Sequence, residues 1–475
     1  MHELGVRDSR DDRPELHIGY VGGGSQGWAH TLINDLAQTT DLSGTVALYD
    51  VDSEAAQQNA SLANGVMDRE DVDGDWTFTA HEQMDAALAD ADFVICSIQD
   101  PPAETFKHDL DVPQEYGIYQ TVGDTVGPGG TMRALRAIPQ YRAIADTVRS
   151  VCPNAWVINY TNPMTVCTRA LYAEYPSINA IGLCHEVFPF QELFADIAQR
   201  YVGVDGYISR SEIDITVKGI NHCTWIDEAS WHGHDLFGYL DAELAERAPL
   251  PANEPGSLEG ESYWVNDFQI AFDLYDRFGV LGAAGDRHLA EFVPWYLDID
   301  EPSAIERWGI RLTPSSARVG DDDGPDKLDT FLADPTAFEL TDSGEEVVDI
   351  MRALCGLEPI KTHLNHPNVG QISNLPDDVV VETNALITGS GVTPLCAGSL
   401  PSTVRSIVST HVTNQETLIE AGFDGDLDLA FQAFLNDPLV TIRRERAQEL
   451  FTRLVDIETE YLSAYDHSSA TVLGE

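Results

Sequence analysis

The chain has 475 residues, 43% of them hydrophobic and 9% aromatic, enough to bury a sizeable core and too many for acidic disorder. Lys and Arg number 27 against 79 Asp and Glu, a formal charge of −52, which repels phosphate backbones and excludes nucleic acid as a partner. No apolar run is long enough to span a bilayer and Met1 to Pro14 has no apolar signal core, so neither a membrane span nor a secretory leader is expected.

Acid is spread along the whole chain and Lys is scarce, a pattern that fits a surface kept soluble in a salt-rich, halophilic cytoplasm. The seven Cys are odd in number and irregular in spacing, so free thiols are expected rather than a disulfide framework.

Residues 1–13 read as a loose acidic leader. His17 to Val21 is a short buried strand, followed by Gly22-Gly23-Gly24-Ser25-Gln26-Gly27 and a helix from about Trp28 to Gln38. Thr45 to Tyr49 is a second strand, ending in Asp50. Strand, G-x-G-x-x-G, helix, strand and acid in that order predict a dinucleotide site. Gly22, Gly24, Ser25 and Gly27 let a pyrophosphate approach the backbone at a helix N-terminus, and Asp50 accepts from ribose hydroxyls. An acid there favours NAD over NADP, whose 2′-phosphate would meet its charge.

Phe93 to Ile98, Trp156 to Tyr160 and Ala180 to Leu183 are further buried strands, and Met132 to Val148 is helical by period. The alternation predicts the α/β class, with a Rossmann-like doubly wound parallel sheet over residues 14–204. Ligands of such sheets gather at the carboxyl ends of strands, where Gly22, Asp50, Asn162 and Cys184 all fall.

From 205 to 475 the character changes to α+β, expected as a substrate and oligomerisation domain. Strands are expected from Ser211 to Lys218, Thr224 to Trp231 and Asp377 to Glu382, and helices from Val265 to Phe278, over 403–420 and over 438–464. The Asp-, Pro- and Gly-rich stretch 311–345 reads as a loop.

Cys184-His185-Glu186 sits directly after a strand, and His222 closes Gly219-Ile220-Asn221-His222. A Cys thiolate and a neutral His suit a borderline divalent ion. The bland alternative is a buried thiol beside a satisfied core imidazole. The Gly-rich loop Gln120 to Gly130, with Asp124 in it and Arg133 and Arg136 after it, either approaches a ligand or is a plain surface loop.

Taken together, five segments resemble glycoside hydrolase family 4, the NAD- and metal-dependent glycosidases. They are Val21 to Ser25, Asn159 to Met164, Gly182 to His185, Gly219 to His222 and Asp377 to Glu382, and they span nearly the whole chain in the family order. The resemblance implies the lactate/malate dehydrogenase-like superfamily of folds, NAD and Mn²⁺ (or another divalent metal) as cofactors, and a homodimer or homotetramer. It implies Cys184 and His222 as metal ligands and Asn162 as a substrate-binding residue.

Cys184-His185-Glu186-Val187 is similar to the version found in the α-galacturonidase subgroup, which makes the expected partner a small oligosaccharide or uronide and gives Glu186 a substrate-side role. The implied chemistry is oxidation at C3 of the sugar, removal of the C2 proton, elimination of the C1 substituent, addition of water and re-reduction. His185 stands where the phosphoglycosidase branch carries a proton donor. The C2 base is left open among Asp286, His288 and Asp124, and Arg287, Arg133 or Arg136 is expected to meet a uronate carboxylate.

Three other readings stand beside this one. An α-galactosidase or α-glucosidase of the same family would differ in the sugar it accepts. A 2-hydroxyacid dehydrogenase would accumulate NADH without metal. A non-catalytic NAD sensor would have no turnover to lose on mutation of Cys184.

Overall fold

Side chains of the central strands part alternately to two faces, as a period of two requires. Ile18, Tyr20, Phe93, Ile95, Ile158 and Ile181 enter one apolar cluster, while Val94, Cys96, Val157 and Ala180 enter another. A sheet buried on both sides in this way is the doubly wound architecture that the alternation of strands and helices predicts. The structure, a computed structural model, describes residues 7–8, 13–99, 104–204, 206–258, 262–263, 266–315 and 325–467. The expected acidic leader lies almost wholly outside them.

Strands β1 (Pro14–Val21), β2 (Ser43–Tyr49), β3 (Asp75–His81), β4 (Phe93–Cys96), β5 (Trp156–Asn159) and β6 (Asn179–Gly182) pair in parallel in the order β3-β2-β1-β4-β5-β6. This is the strand order of a dinucleotide-binding sheet, with its switch point between β1 and β4. β7 (Asp214–Ile220), β8 (Cys223–Trp231), β9 (Ile360–Pro367) and β10 (Val380–Thr388) extend it antiparallel, in the order β6-β9-β10-β7-β8. One sheet therefore runs through both parts of the chain, joined where Asn365 pairs with Gly182.

Four helices position the site: α1 (Trp28–Ala37), α2 (Gly127–Val151), α3 (Gln269–Phe278) and α4 (Asp286–Phe292). The expected loop 311–345 contains a helix, Pro325–Ala333, whose Phe331 meets His30 and Phe338 edge-on. Asp377 and Asp378 form a turn before β10 rather than its first residues, with Asp378 at φ 68°. The C-terminal helices are Ser402–Asp424, Leu427–Asn436 and Arg444–Ile457. No helix among the described residues is long and apolar enough to cross a membrane.

Candidate active site

The loop from β1 into α1 is held by its own backbone. Gly22 and Gly23 both donate to Tyr49 O at 2.9 Å, and Gly22 takes φ 95°. A Cβ on Gly22 would stand 2.0 Å from Ser97 O, so only glycine fits. Asp50 receives the N–H of Gly24 (2.9 Å) and of Asp52 (2.9 Å). Asn59, not expected from sequence, pins the loop by donating to Gly23 O and Ser25 O.

Gly27 caps α1 with no side-chain acceptor, leaving the first N–H groups of that helix for an anion. A crevice of about 740 Å³ follows, lined by Gly22, Gly24, Ser25, Gly27 and Asp50 together with Asp124 of the loop before α2, Arg133 of α2 and Asn162 beyond β5. The predicted nucleotide residues and three predicted substrate-side residues thus share one cleft.

The second centre forms beyond β6. His222 sits at the tip of the two-residue turn joining β7 to β8, at φ 63°. Non-glycine residues seldom adopt that conformation, and those that do cluster at functional sites. Its Nε2 lies 3.4 Å from Cys184 Sγ. An ion about 2.3 Å from sulfur and about 2.1 Å from nitrogen, at tetrahedral to right angles, separates the two by about 3.1–3.6 Å. The pair therefore fits one divalent ion.

The electrostatics agree. Burial, then Glu382 and Glu186, push the Cys184 thiol well above its usual range, so only a cation in this place would yield the thiolate. Burial, then His288, lower His222 to about 3, which keeps the imidazole neutral as a ligand must be. His222, His288 and Asp124 also offer ligand atoms within 4.8 Å of one another.

Around this pair His288 stacks on His222, with ring centroids 3.6 Å apart, and its Nε2 lies 3.6 Å from Glu186 Oε1. Glu186 also accepts the N–H of Gly285 (2.7 Å). Burial raises Glu186, but His288, His222 and that N–H outweigh it and hold the carboxyl below its usual range. Asp124 is 3.9 Å from His222 Nδ1 and accepts from Asn162 Nδ2 (3.3 Å), which ties the Cys184–His222 pair to the crevice at the glycine loop. Asn162 Oδ1 is buried with no partner, an acceptor available to a ligand hydroxyl.

Other predicted residues fall elsewhere. His185 is half-exposed, near-parallel to Trp28 and bonded through Nδ1 to Glu345 (3.0 Å), whose hydrogen bond raises its pKa. Asp286 Oδ1 accepts the N–H of Ala271 (2.9 Å) at the start of α3, so its carboxylate caps a helix. Arg287 donates to Thr121 O (2.6 Å) and to Thr313 Oγ1. Arg136 cannot meet a uronate: it is 2% exposed, bidentate to Asp109 and bonded to Glu458.

Sequence reasoning also missed residues that hold the site. Glu291 Oε1 accepts Val122 N–H (2.6 Å) and Gly123 N–H (2.9 Å), bracing the loop that carries Asp124. Glu382 accepts from Asn221 Nδ2 (3.1 Å), and His363 Nε2 donates to Cys184 O (3.1 Å). Asn221 and Glu382 lay in the segments quoted above, but nothing in one sequence pairs them.

Residues 17–200 match Family 4 glycosyl hydrolase and residues 217–440 match the Family 4 glycosyl hydrolase C-terminal domain. An alpha-galacturonidase of Thermoanaerobacterium saccharolyticum is 44% identical over 95% of this chain and 97% of its own. One from Bacillus subtilis is 43% identical over 93% and 97%. An alpha-galactosidase of Bacillus subtilis is 29% identical over 89% and 92%. The crystal structure of the Bacillus subtilis protein lplD superposes with a TM-score of 0.84 at 42% identity, over 93% of this chain and 99% of that one. A 6-phospho-alpha-glucosidase from gut microorganisms, solved with NAD and Mn²⁺, shares the fold at a TM-score of 0.75 and 19% identity, over 94% and 99%. Matches that cover both parts of the chain in order, and relatives aligned almost end to end, leave one assignment: the chain belongs to family 4 of the glycosyl hydrolases.

Proposed function

We propose that the chain is an NAD- and divalent-metal-dependent α-galacturonidase acting on small uronide oligosaccharides, with Mn²⁺ as the metal. The observation that carries this reading is the join at Asp124, which lines the nucleotide crevice and lies 3.9 Å from His222 of the metal pair. The relatives named alpha-galacturonidase, at 43% and 44% identity, support the sugar. When bound, NAD supplies reversible hydride uptake at a sugar carbon and the metal supplies Lewis-acid polarisation of the neighbouring oxygens.

The remaining work falls to side chains. Cys184 Sγ and His222 Nε2 hold the ion. Asn162 Oδ1 receives a sugar hydroxyl. Arg133, whose Nε has no partner, lines the crevice and meets the uronate carboxylate. Asp124 takes the C2 proton, because it lines the crevice, whereas Asp286 caps α3. His185, stacked on Trp28 of the crevice wall and raised in pKa by Glu345, is the proton donor to the leaving group in this reading.

Hydrolysis of p-nitrophenyl α-galacturonide and of the galactoside, each with NAD⁺ and Mn²⁺ in deuterated water, tests the proposal. Faster turnover of the galacturonide with deuterium at C2 of the product is expected. Preference for the galactoside would move the substrate to the relative at 29% identity, and product without deuterium would overturn the elimination chemistry. The charge of −52 supports a salt-rich cytoplasm, for which stability should rise with KCl, and membership of the family supports a homodimer or homotetramer, which sedimentation would reveal.

A further inference from the structure

Thr125 belongs to neither the crevice lining nor the metal pair, yet it touches the group that connects them. It is 4% exposed. Its Oγ1 lies 2.7 Å from Asp124 Oδ1 and 2.8 Å from His222 Nδ1. We infer that Thr125 is a positioning residue that fixes the tautomer of His222, so that Nε2 presents a bare lone pair toward Cys184. The inference rests on the reading of Cys184 and His222 as metal ligands.

The argument is one of proton counting. A threonine hydroxyl has one proton and two lone pairs, and a carboxylate only accepts. The proton on Oγ1 is therefore given to Asp124 Oδ1. What remains for His222 is an acceptor, so Nδ1 must carry the ring proton and donate it to Oγ1. In a neutral imidazole the other nitrogen is then unprotonated, and that nitrogen is the one 3.4 Å from Cys184 Sγ. The opposite tautomer would aim an N–H at the thiol and leave no ligand for an ion. Hydrogen bonds to the far nitrogen orient metal-bound histidines in this way generally.

The hydroxyl is held in place from outside. Gly123 takes φ 72°, Glu291 receives the N–H groups of Val122 and Gly123, and Thr121 Oγ1 donates to Arg287 O at 2.5 Å. The loop cannot drift away from His222 without breaking these bonds. Asp124 Oδ2 is meanwhile occupied by Asn162, which leaves Oδ1 to the threonine.

Nitrogen-15 histidine spectra of the metal-free protein read the tautomer directly, with His222 assigned by loss of its signal in His222→Gln. Wild type should show Nδ1–H. Thr125→Val should lose that form in part or whole, and Thr125→Ser should restore it. Titration with Co²⁺, followed by its thiolate charge-transfer absorption, should show affinity about 10–100-fold weaker in Thr125→Val and near wild type in Thr125→Ser. An Nδ1–H tautomer that persists unchanged in Thr125→Val overturns the inference, as does Co²⁺ affinity within about twofold of wild type. If Cys184→Ala binds Co²⁺ as tightly as wild type by calorimetry, the metal reading fails, while the spectra of the metal-free protein still judge Thr125.

Discussion

At the proposed nucleotide crevice, Gly22, Gly24, Ser25 and Gly27 come from one turn, closed by backbone bonds from Gly22 and Gly23 to Tyr49 O. At the proposed metal pocket, Cys184 follows a strand, His222 tips a hairpin, Asp124 rides a loop and His288 lies on a helix. The first site is made where the chain is already local. The second exists only after β9 and β10 have bridged β6 to the β7–β8 hairpin. Local construction allows one half to survive damage to the other, and each experiment below exploits that difference.

The largest effect is expected at the metal half. Cys184→Ala or His222→Ala should lower turnover by about 10³-fold or more, since a Lewis acid supplies several kcal/mol of transition-state stabilisation. NAD affinity should fall far less than turnover, because the glycine loop is held by Asp50 and Asn59 rather than by Cys184 and His222. Calorimetric NAD titration beside the turnover assay checks this, and parallel loss of both would show the halves to be one unit.

Gly22→Ala attacks the other half. Its Cβ would meet Ser97 O at 2.0 Å in a backbone conformation that already costs an L side chain about 1–3 kcal/mol. NAD binding should vanish and the melting temperature should fall. Co²⁺ absorption from Cys184 should persist, and its disappearance would mean that β1 and β6 do not yield separately.

Glu291 tests how the assembled half is braced. Burial pushes its carboxyl up to about 7 despite the N–H groups of Val122 and Gly123. Unfolded, it titrates near about 4.3. Between those values the unfolded chain has lost the proton and the folded chain retains it, so this group lowers stability as pH rises from about 4.3 to about 7. Glu291→Gln removes that slope. Urea melts at pH 5 and pH 8 should show wild type losing a few kcal/mol relative to the variant across the interval. Equal slopes would mean that Glu291 is ionised at its loop.

The same contrast governs what could be read from sequence. The glycine turn, its strands and Asp50 are contiguous, so spacing alone carried the crevice. Asn59, which pins that turn, lies 34 residues from Ser25 and has no motif to announce it. Thr125 and His222 are 97 residues apart, and His185 and Glu345 are 160 apart; no periodicity reports such contacts. Helix Pro325–Ala333 was hidden by acidic and Pro-rich neighbours, and its reason to form is the tertiary contact of Phe331 with His30 and Phe338. Helix Leu427–Asn436 had a legible signal in its N-cap Asp426, which accepts from Asp428 and Leu429 N–H groups.

Asp286 gives the smallest expected effect and the closest discrimination between the chemistry and its frame. The resemblance to family 4 makes it a candidate C2 base. In the fold its Oδ1 accepts from Ala271 at the start of α3, whose own N-cap, Phe268 at φ 58°, offers no side-chain acceptor. A carboxylate borrowed from α4 thus does what a local Ser or Asp does elsewhere. Asp286→Asn keeps an acceptor oxygen there and should cost about 1 kcal/mol or less, with turnover within about threefold of wild type. A general base contributes about 10²–10⁴-fold, so a loss of that size at unchanged melting temperature would return Asp286 to the chemistry. Asp124→Asn run in parallel should show the opposite pattern, because Asp124 lines the crevice and touches both Thr125 and Asn162.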